Sequence, residues 1–376
     1  AEDGIRDLVR SRGLGDVYKR QAYLLLSKES NPEKIKIGFL GNLDGAIGKP
    51  MWQGAKLAVE EINAEGGILG KQVELIGADC DSGLDSVIVT KELTSLITQH
   101  EVDFIVGSSV QAALVQDIIA GHKIIFISSG SAAIPDEIAQ RVLDDYDKYK
   151  YYFTVAFNYT CVKLGMTDSL IHVRELTGCN KVGYLNVVLA EEFSDALDVF
   201  LPENGFELVY KGKFPLSTVD FSSYFAAAEA AGVEVLLPTI MSDIGITFCN
   251  EYYDRQSPMI VFGGVNTLAS SPDSWEWTDG KCNHMTFSSV PTTAGYPFTS
   301  KTLQTRDAYM NRWGEDITWD ATNSYDSIKF ILINAIERAG SIDTDAVIEA
   351  LEETSVETSN ARDFVFNPSH SSMMGK

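Results

Sequence analysis

Glycines at 38, 41, 45 and 48 crowd the stretch IKIGFLGNLDGAIGKPMWQGAKLAVEEINAEGGILGK, Ile35 to Lys71, and glycine-rich turns between a strand and a helix are one way to cradle a phosphate. The spacing does not fit that chemistry. A dinucleotide fingerprint needs G-x-G-x-x-G with an acidic residue about 20 positions on, and it is absent. A P-loop needs a hydroxyl after its lysine to meet magnesium, but Lys49 is followed by Pro50. Other reactive patterns are missing too: there is no G-x-S-x-G and no H-E-x-x-H. The adjacent carboxylates Glu191 and Glu192 stand near an expected helix start, where acids are ordinary partners of the helix dipole. The five cysteines, Cys80, Cys161, Cys179, Cys249 and Cys282, contain no C-x-x-C, and the five histidines have no zinc-ligand spacing. An odd cysteine count leaves at least one thiol unpaired. These absences predict a protein that is not an enzyme and that carries no metal and no cofactor.

The elements around these residues alternate. Ile35, Ile37 and Phe39 read as a strand, and Ala55, Ala58, Val59 and Ile62 recur at helical spacing until NAEGG ends the helix. KQVELIGAD, VDFIVGSS and KIIFISSGSA read as further strands, with LDSVIVTKELTSLITQ and VQAALVQDIIAGH as helices between them. Near DDYDKYKYYFTVAFN the composition shifts to tyrosine and charge, which predicts a crossover. A second series follows, with strands at KVGYLNVV, FELVYKGKFP, VEVLLPTIM and MIVFGGV and helices between them. Long helices come last, at SKTLQTRDAYMNRWG, ATNSYDSIKFILINAIERAG and DTDAVIEALEET, before a final strand RDFVFN. This order predicts an α/β fold of two doubly wound parallel-sheet lobes.

The chain of 376 residues with 45% hydrophobic composition is long enough for two cores. No stretch reaches the roughly 18 uninterrupted apolar residues of a membrane span. The formal charge of −23 argues against a nucleic-acid partner, which would be met by a basic stripe. Residues 1–21, AEDGIRDLVRSRGLGDVYKRQ, have no apolar periodicity and resemble a translated sequencing adapter, so they are expected to be non-native and outside the fold. The C-terminal NPSHSSMMGK carries no terminating element and is expected to be truncated.

Taken together, KIKIGFLGNLDG, GAKLAVEEINAEGGILGKQVEL, VDFIVGSS and IFISSGSA resemble the type I periplasmic solute-binding proteins of ABC transporters, of the leucine/isoleucine/valine-binding class. The resemblance runs from about Ile35 to about Phe366. It implies two lobes joined by three crossover segments, with lobe 1 formed by 34–155 plus 285–356 and lobe 2 by 156–284 plus 357–376. It implies further a monomer, periplasmic or extracellular, lipid-anchored or secreted, that closes on a small polar solute, an amino acid, amide or short carboxylate-like molecule, and passes it to the membrane permease of an ABC importer. A ligand-sensing receptor domain of the same fold is the alternative.

The resemblance also implies where the solute is held. In the serine turn GSSVQ, Ser108 and Ser109, with Gln111 as the alternative, fall where the family grips a carboxylate with hydroxyls and helix N-terminal N–H groups. Ser129, Gly130 and Ser131 follow the next strand as a second contact surface, with Ala132 where a threonine is expected. Ile47 falls in the first loop, and Trp52 nearby is on a helix where packing is the commoner role. In the other lobe Phe193 and either Ile240 or Met241 take aromatic positions. The family's ammonium-binding aspartate and glutamate fall on Tyr159, with Asn158 beside it, and on Val265, with Asn266 next. None of these four brings a negative charge, so a zwitterionic amino acid is expected to be a poor ligand unless Glu192 or Asp243 supplies one.

Overall fold

Strands that read as unbroken apolar runs have helices on both faces, and such strands pair in parallel. The computed structural model describes residues 34–374 apart from 46, 82, 84, 109–110, 131–135, 157–158, 241–243, 264–267, 269–272, 284 and 287–297, with the backbone alone of 159–164, 189, 192, 373 and 374. Its first sheet holds β1 (Ile35–Gly41), β2 (Val73–Asp79), β3 (Phe104–Gly107), β4 (Ile125–Ser128) and β5 (Tyr152–Thr154) in the parallel order β2-β1-β3-β4-β5. Between them run α1 (Gly48–Ala64), α2 (Ser86–Thr98), α3 (Ala112–His122), α4 (Asp136–Asp144) and the single turn α5 (Tyr146–Tyr149). The second sheet holds β6 (Lys181–Val187), β7 (Glu207–Phe214), β8 (Val235–Thr239) and β9 (Ile260–Val261) in the parallel order β7-β6-β8-β9. Its helices are α6 (Tyr159–Thr177), α7 (Glu191–Glu203), α8 (Ser222–Ala230), α9 (Ile244–Arg255) and the short α10 (Ser274–Trp277).

Each sheet has its own core. Ile37, Phe39, Phe104, Ile105, Phe126 and Phe153 are buried in the first, and Val182, Leu185, Leu197, Phe214, Phe225 and Phe248 in the second. The late helices return to the first core: α11 (Thr302–Trp313), α12 (Trp319–Asp326), α13 (Ile333–Ala339) and α14 (Thr344–Glu352) contribute Tyr309, Ala321, Ile336 and Leu351. A π-helical stretch, Ser327–Leu332, joins α12 to α13 and buries Ile328, Ile331 and Leu332 there as well.

A small antiparallel sheet of β10 (Ser355–Val356), β11 (Phe364–Phe366) and β12 (Ser372–Met374) completes the described chain. The expectation that 357–376 belongs with the second lobe does not hold for Ala361, Phe364 and Phe366, which lie in the first core. The F-V-F alternation puts both phenylalanines on one face, and Phe366 meets Phe153 edge-on at 5.0 Å. The same hairpin lies beside the end of β5. Thr154 pairs with Ser371 in a parallel bridge, the Thr154 N–H donates to the His370 carbonyl at 2.8 Å, and the Ser372 hydroxyl donates to the Ala156 carbonyl at 3.4 Å.

Candidate functional site

In an open parallel sheet a ligand crevice forms where neighbouring strands send their connections to opposite sides, at the carboxyl ends. The strand order places one such point between β1 and β3 and another between β6 and β8. At the first, β1 opens into a loop built on Asn42, whose side-chain carbonyl accepts the N–H of Asp44 at 3.2 Å and of Gly45 at 2.7 Å. Those N–H groups are already occupied, so the glycine loop is a side-chain-supported turn rather than an open phosphate cradle. Ile47 forms the N-terminal boundary of α1 and is half-buried against the first core. Trp52 packs on Phe39 with ring centroids 5.3 Å apart, so it is a packing residue.

The two serine turns meet at the same place. The Ser108 N–H donates to the Leu40 carbonyl at 2.9 Å and extends the β1–β3 pairing by one residue. The Ser129 N–H donates to the Gly107 carbonyl at 2.9 Å and does the same for β3 and β4. Gly130 is buried against the Ser108 side chain, and a Cβ at Gly130 would stand 2.2 Å from the Ser108 Oγ. The small-residue turn is therefore required by close approach of the two loops. Ser129 is fully buried, and its Oγ lies 3.0 Å from the Ser324 Oγ and 3.4 Å from the Gly107 carbonyl. Its hydroxyl is committed inward, which leaves the backbone of this turn, Gly130 and Ser108 as the groups that can meet a ligand. Ser109 and Ser131 lie outside the described residues.

Of the second-lobe candidates, Phe193 is 4% exposed within the second core, and Ile240 is fully buried there. Tyr159 is the first residue of α6, and its side chain is not described. Met241, Asp243, Val265, Asn266 and Asn158 lie outside the described residues. Glu191 forms an exposed ion pair with Lys213 at 2.9 Å, and Lys213 holds its carboxyl below the usual range, so it works as a surface pair. A separate open groove of about 350 Å³ lies between α8 and α9, lined by Asp220, Phe225, Glu251, Asp254 and Arg255, and shares no residue with the strand-end cluster.

Behind the serine turns is a polar seam that periodicity does not reveal. All eight residues of α12, WDATNSYD, are buried. The Asn360 side-chain amide donates to the Asn323 Oδ1 at 3.1 Å, and the Asp326 carboxylate accepts the Ser359 N–H at 3.0 Å. Burial pushes the Asp326 carboxyl up to about 7, against the opposing pull of hydrogen bonds from Ser359, Thr358 and Asn360. His370, 1% exposed, stacks on Phe153 at 4.1 Å and bonds Glu352 at 2.9 Å through Nε2. Desolvation holds its imidazole below the usual histidine value, although the Glu352 carboxylate opposes this. Among the described residues no cluster of histidine, cysteine, aspartate and glutamate could hold a metal ion, and no helix is long and apolar enough to cross a membrane.

Comparison with known proteins agrees with this architecture. A profile described as periplasmic binding protein matches residues 34–375. The Leu/Ile/Val-binding protein homolog 7 of Brucella suis is 26% identical over 352 residues, covering 89% of this chain and 85% of that one. A solved structure of the branched-chain amino acid transporter substrate binding protein LivJ from Streptococcus pneumoniae, in complex with isoleucine, superposes with a TM-score of 0.76 at 22% identity, covering 90% of this chain and 94% of that one. A solute binding protein from R. palustris, solved in complex with benzoate, gives a TM-score of 0.75 at 14% identity, with 91% of each chain covered. These relatives are solute-binding proteins of transporters, not enzymes, and their family is extracytoplasmic. The match over 34–375, on a chain with two parallel sheets flanked by helices, makes this protein a member of the periplasmic binding protein family.

Proposed function

We propose that the chain acts as a monomer that captures a small carboxylate with an apolar end between its lobes and delivers it to the membrane permease of an ABC importer. The lobes are 34–155 plus 285–356 and 156–284, with the two switch points facing across the cleft. Closure follows because a ligand that bridges both lobes binds the closed state better than the open one. The observation that carries the reading is the packed pair of turns at Ser108 and Gly130; Ser109 and Ser131, which lie outside the described residues, are assigned to the same carboxylate grip by the family resemblance. The opposite lobe supplies Met241, Asn158, Tyr159, Val265 and Asn266. Tyr159 and Val265 replace the two acids that would neutralise an ammonium, and an unpaired buried charge costs more than its surrounding contacts return. The benzoate-bound relative provides a precedent for a ligand with a carboxylate and no ammonium on this fold.

Calorimetric titration of leucine and isoleucine against 4-methylpentanoate and benzoate tests the reading. At least one carboxylate is expected to bind tenfold or more tightly than leucine. Micromolar leucine binding with much weaker binding of 4-methylpentanoate would show that the ammonium is met after all and would sink the carboxylate assignment.

A further inference from the structure

Ser129 and Ser324 are distant in sequence, both fully buried, and 3.0 Å apart through their hydroxyls. Neither can reach water, so each must find its partner inside the protein, and a stranded hydroxyl costs its full desolvation. The Gly107 carbonyl 3.4 Å from the Ser129 Oγ gives the pair a chain to complete: the Ser324 hydroxyl donates to Ser129, and the Ser129 hydroxyl donates to Gly107. The next residue, Gly130, is pressed against Ser108, so this turn is held from behind by α12 and from in front by the other serine turn.

The anchor is itself fixed. A Cβ at Gly54 would stand 2.1 Å from the Ala321 carbonyl, so α1 and α12 approach backbone to side-chain-free backbone. The Tyr325 hydroxyl donates to Glu61 at 2.6 Å from the same helix, Asn323 is tied to Asn360, and Asp326 to the Ser359 N–H. An element held at each of these points has little freedom to follow a moving loop, so a loop bonded to it inherits its position.

We infer that Ser324 is a positioning residue for ligand binding, setting the Ser129–Gly130 turn from behind without touching the ligand itself. The inference rests on the proposed reading of the serine turns as the ligand grip.

The test uses Ser324→Ala, Ser129→Ala and the double variant in the full chain, with two readouts. In the ligand-free protein, hydrogen exchange at the amides of 128–130 should quicken in Ser324→Ala while β6 to β8 keep their protection. Affinity for 4-methylpentanoate, for benzoate or for leucine, whichever the unaltered protein binds, should fall about tenfold. Because the two hydroxyls act as one pair, the double variant should bind no more weakly than the weaker single variant. Unchanged exchange at 128–130, unchanged affinity, or losses that multiply in the double variant would each overturn the inference. Should the unaltered protein bind none of the three probes, the solute reading falls, and the exchange measurement alone decides whether Ser324 holds the turn.

Discussion

The two lobes start from the same strand order yet are held together by different forces. In the second, Phe221 meets Phe214 at 5.1 Å and Phe248 at 5.4 Å, and Phe225 meets Phe248 at 5.0 Å, a cluster of rings whose main stabilisation, apolar burial, is non-directional. In the first, an apolar core is backed by the polar helix α12 and the loop at Ser359 and Asn360, where each bond requires one geometry. Apolar burial tolerates small displacements; a buried hydroxyl or amide does not. The first lobe therefore adds to its apolar core the directional bonds that can fix a ligand-binding turn, while the second rests on apolar burial around its rings.

Substitutions in the two regions should separate these roles. The largest effect is expected from Phe248→Ala, since Phe248 is fully buried at the centre of the ring cluster. A loss of about 3–5 kcal/mol in denaturant unfolding follows from the lost transfer energy and the cavity. A loss below about 1 kcal/mol would mean that the rings are not what holds this lobe, and the contrast would fail.

The sequence shows the two regions unequally for the same reason. Strands β1, β3, β4, β6 and β8 were legible because a parallel strand buried on both faces is a largely apolar run, whereas the edge strands β2 and β7 are only partly buried. Helix α4 was not legible: only Ile138 and Val142 are buried in it. Strand β5 is three residues inside a tyrosine-rich stretch that reads as a crossover, and β10 and β12 are as short. At the site, the two serine turns could be placed at the ends of β3 and β4. Which way Ser129 points could not, because its partner Ser324 lies 195 residues away in the sequence, on another helix. The one signal there is Ala321 and Ser324, three apart, whose small size suits close packing.

Asp326→Asn should produce the next effect, and its sign tests whether the polar seam is kept for geometry. The Asp326 carboxyl titrates at about 7 when folded, above its ordinary value of 3.8, so between these values the folded state binds the extra proton. Stability from this group is then fully present below about pH 4 and is lost as pH rises through about 7. Lys301, whose charge interacts with Asp326, offsets part of the cost. His370 runs the other way, because a depressed histidine contributes stability that is lost as pH falls below its ordinary value. The difference between the two proteins isolates Asp326: Asp326→Asn should flatten the decline between pH 4 and 7 and gain on the unaltered protein at pH 8, by on the order of 4 kcal/mol at most. An unchanged pH profile would mean that the carboxylate is fully compensated in place.

The smallest effect concerns surface charge. Arg255 holds Glu229 in the second region through two bonds of 2.8 and 2.6 Å, and Arg306 holds Asp316 in the first through two of 2.7 and 2.9 Å. The Arg255 hydrogen bond keeps the Glu229 carboxyl below its ordinary range, so its contribution is present above the unfolded value and lost as pH falls through the folded one. Both carboxylates keep more than a quarter of their surface exposed, so water and salt screen each pair. Glu229→Gln and Asp316→Asn should each cost no more than about 1 kcal/mol at physiological ionic strength, and less as salt is raised. Equal small costs would leave rings on one side and the polar seam on the other as the source of the difference between the lobes. A cost above about 2 kcal/mol for Glu229→Gln, insensitive to salt, would instead make charge a main hold on the second lobe and break the contrast.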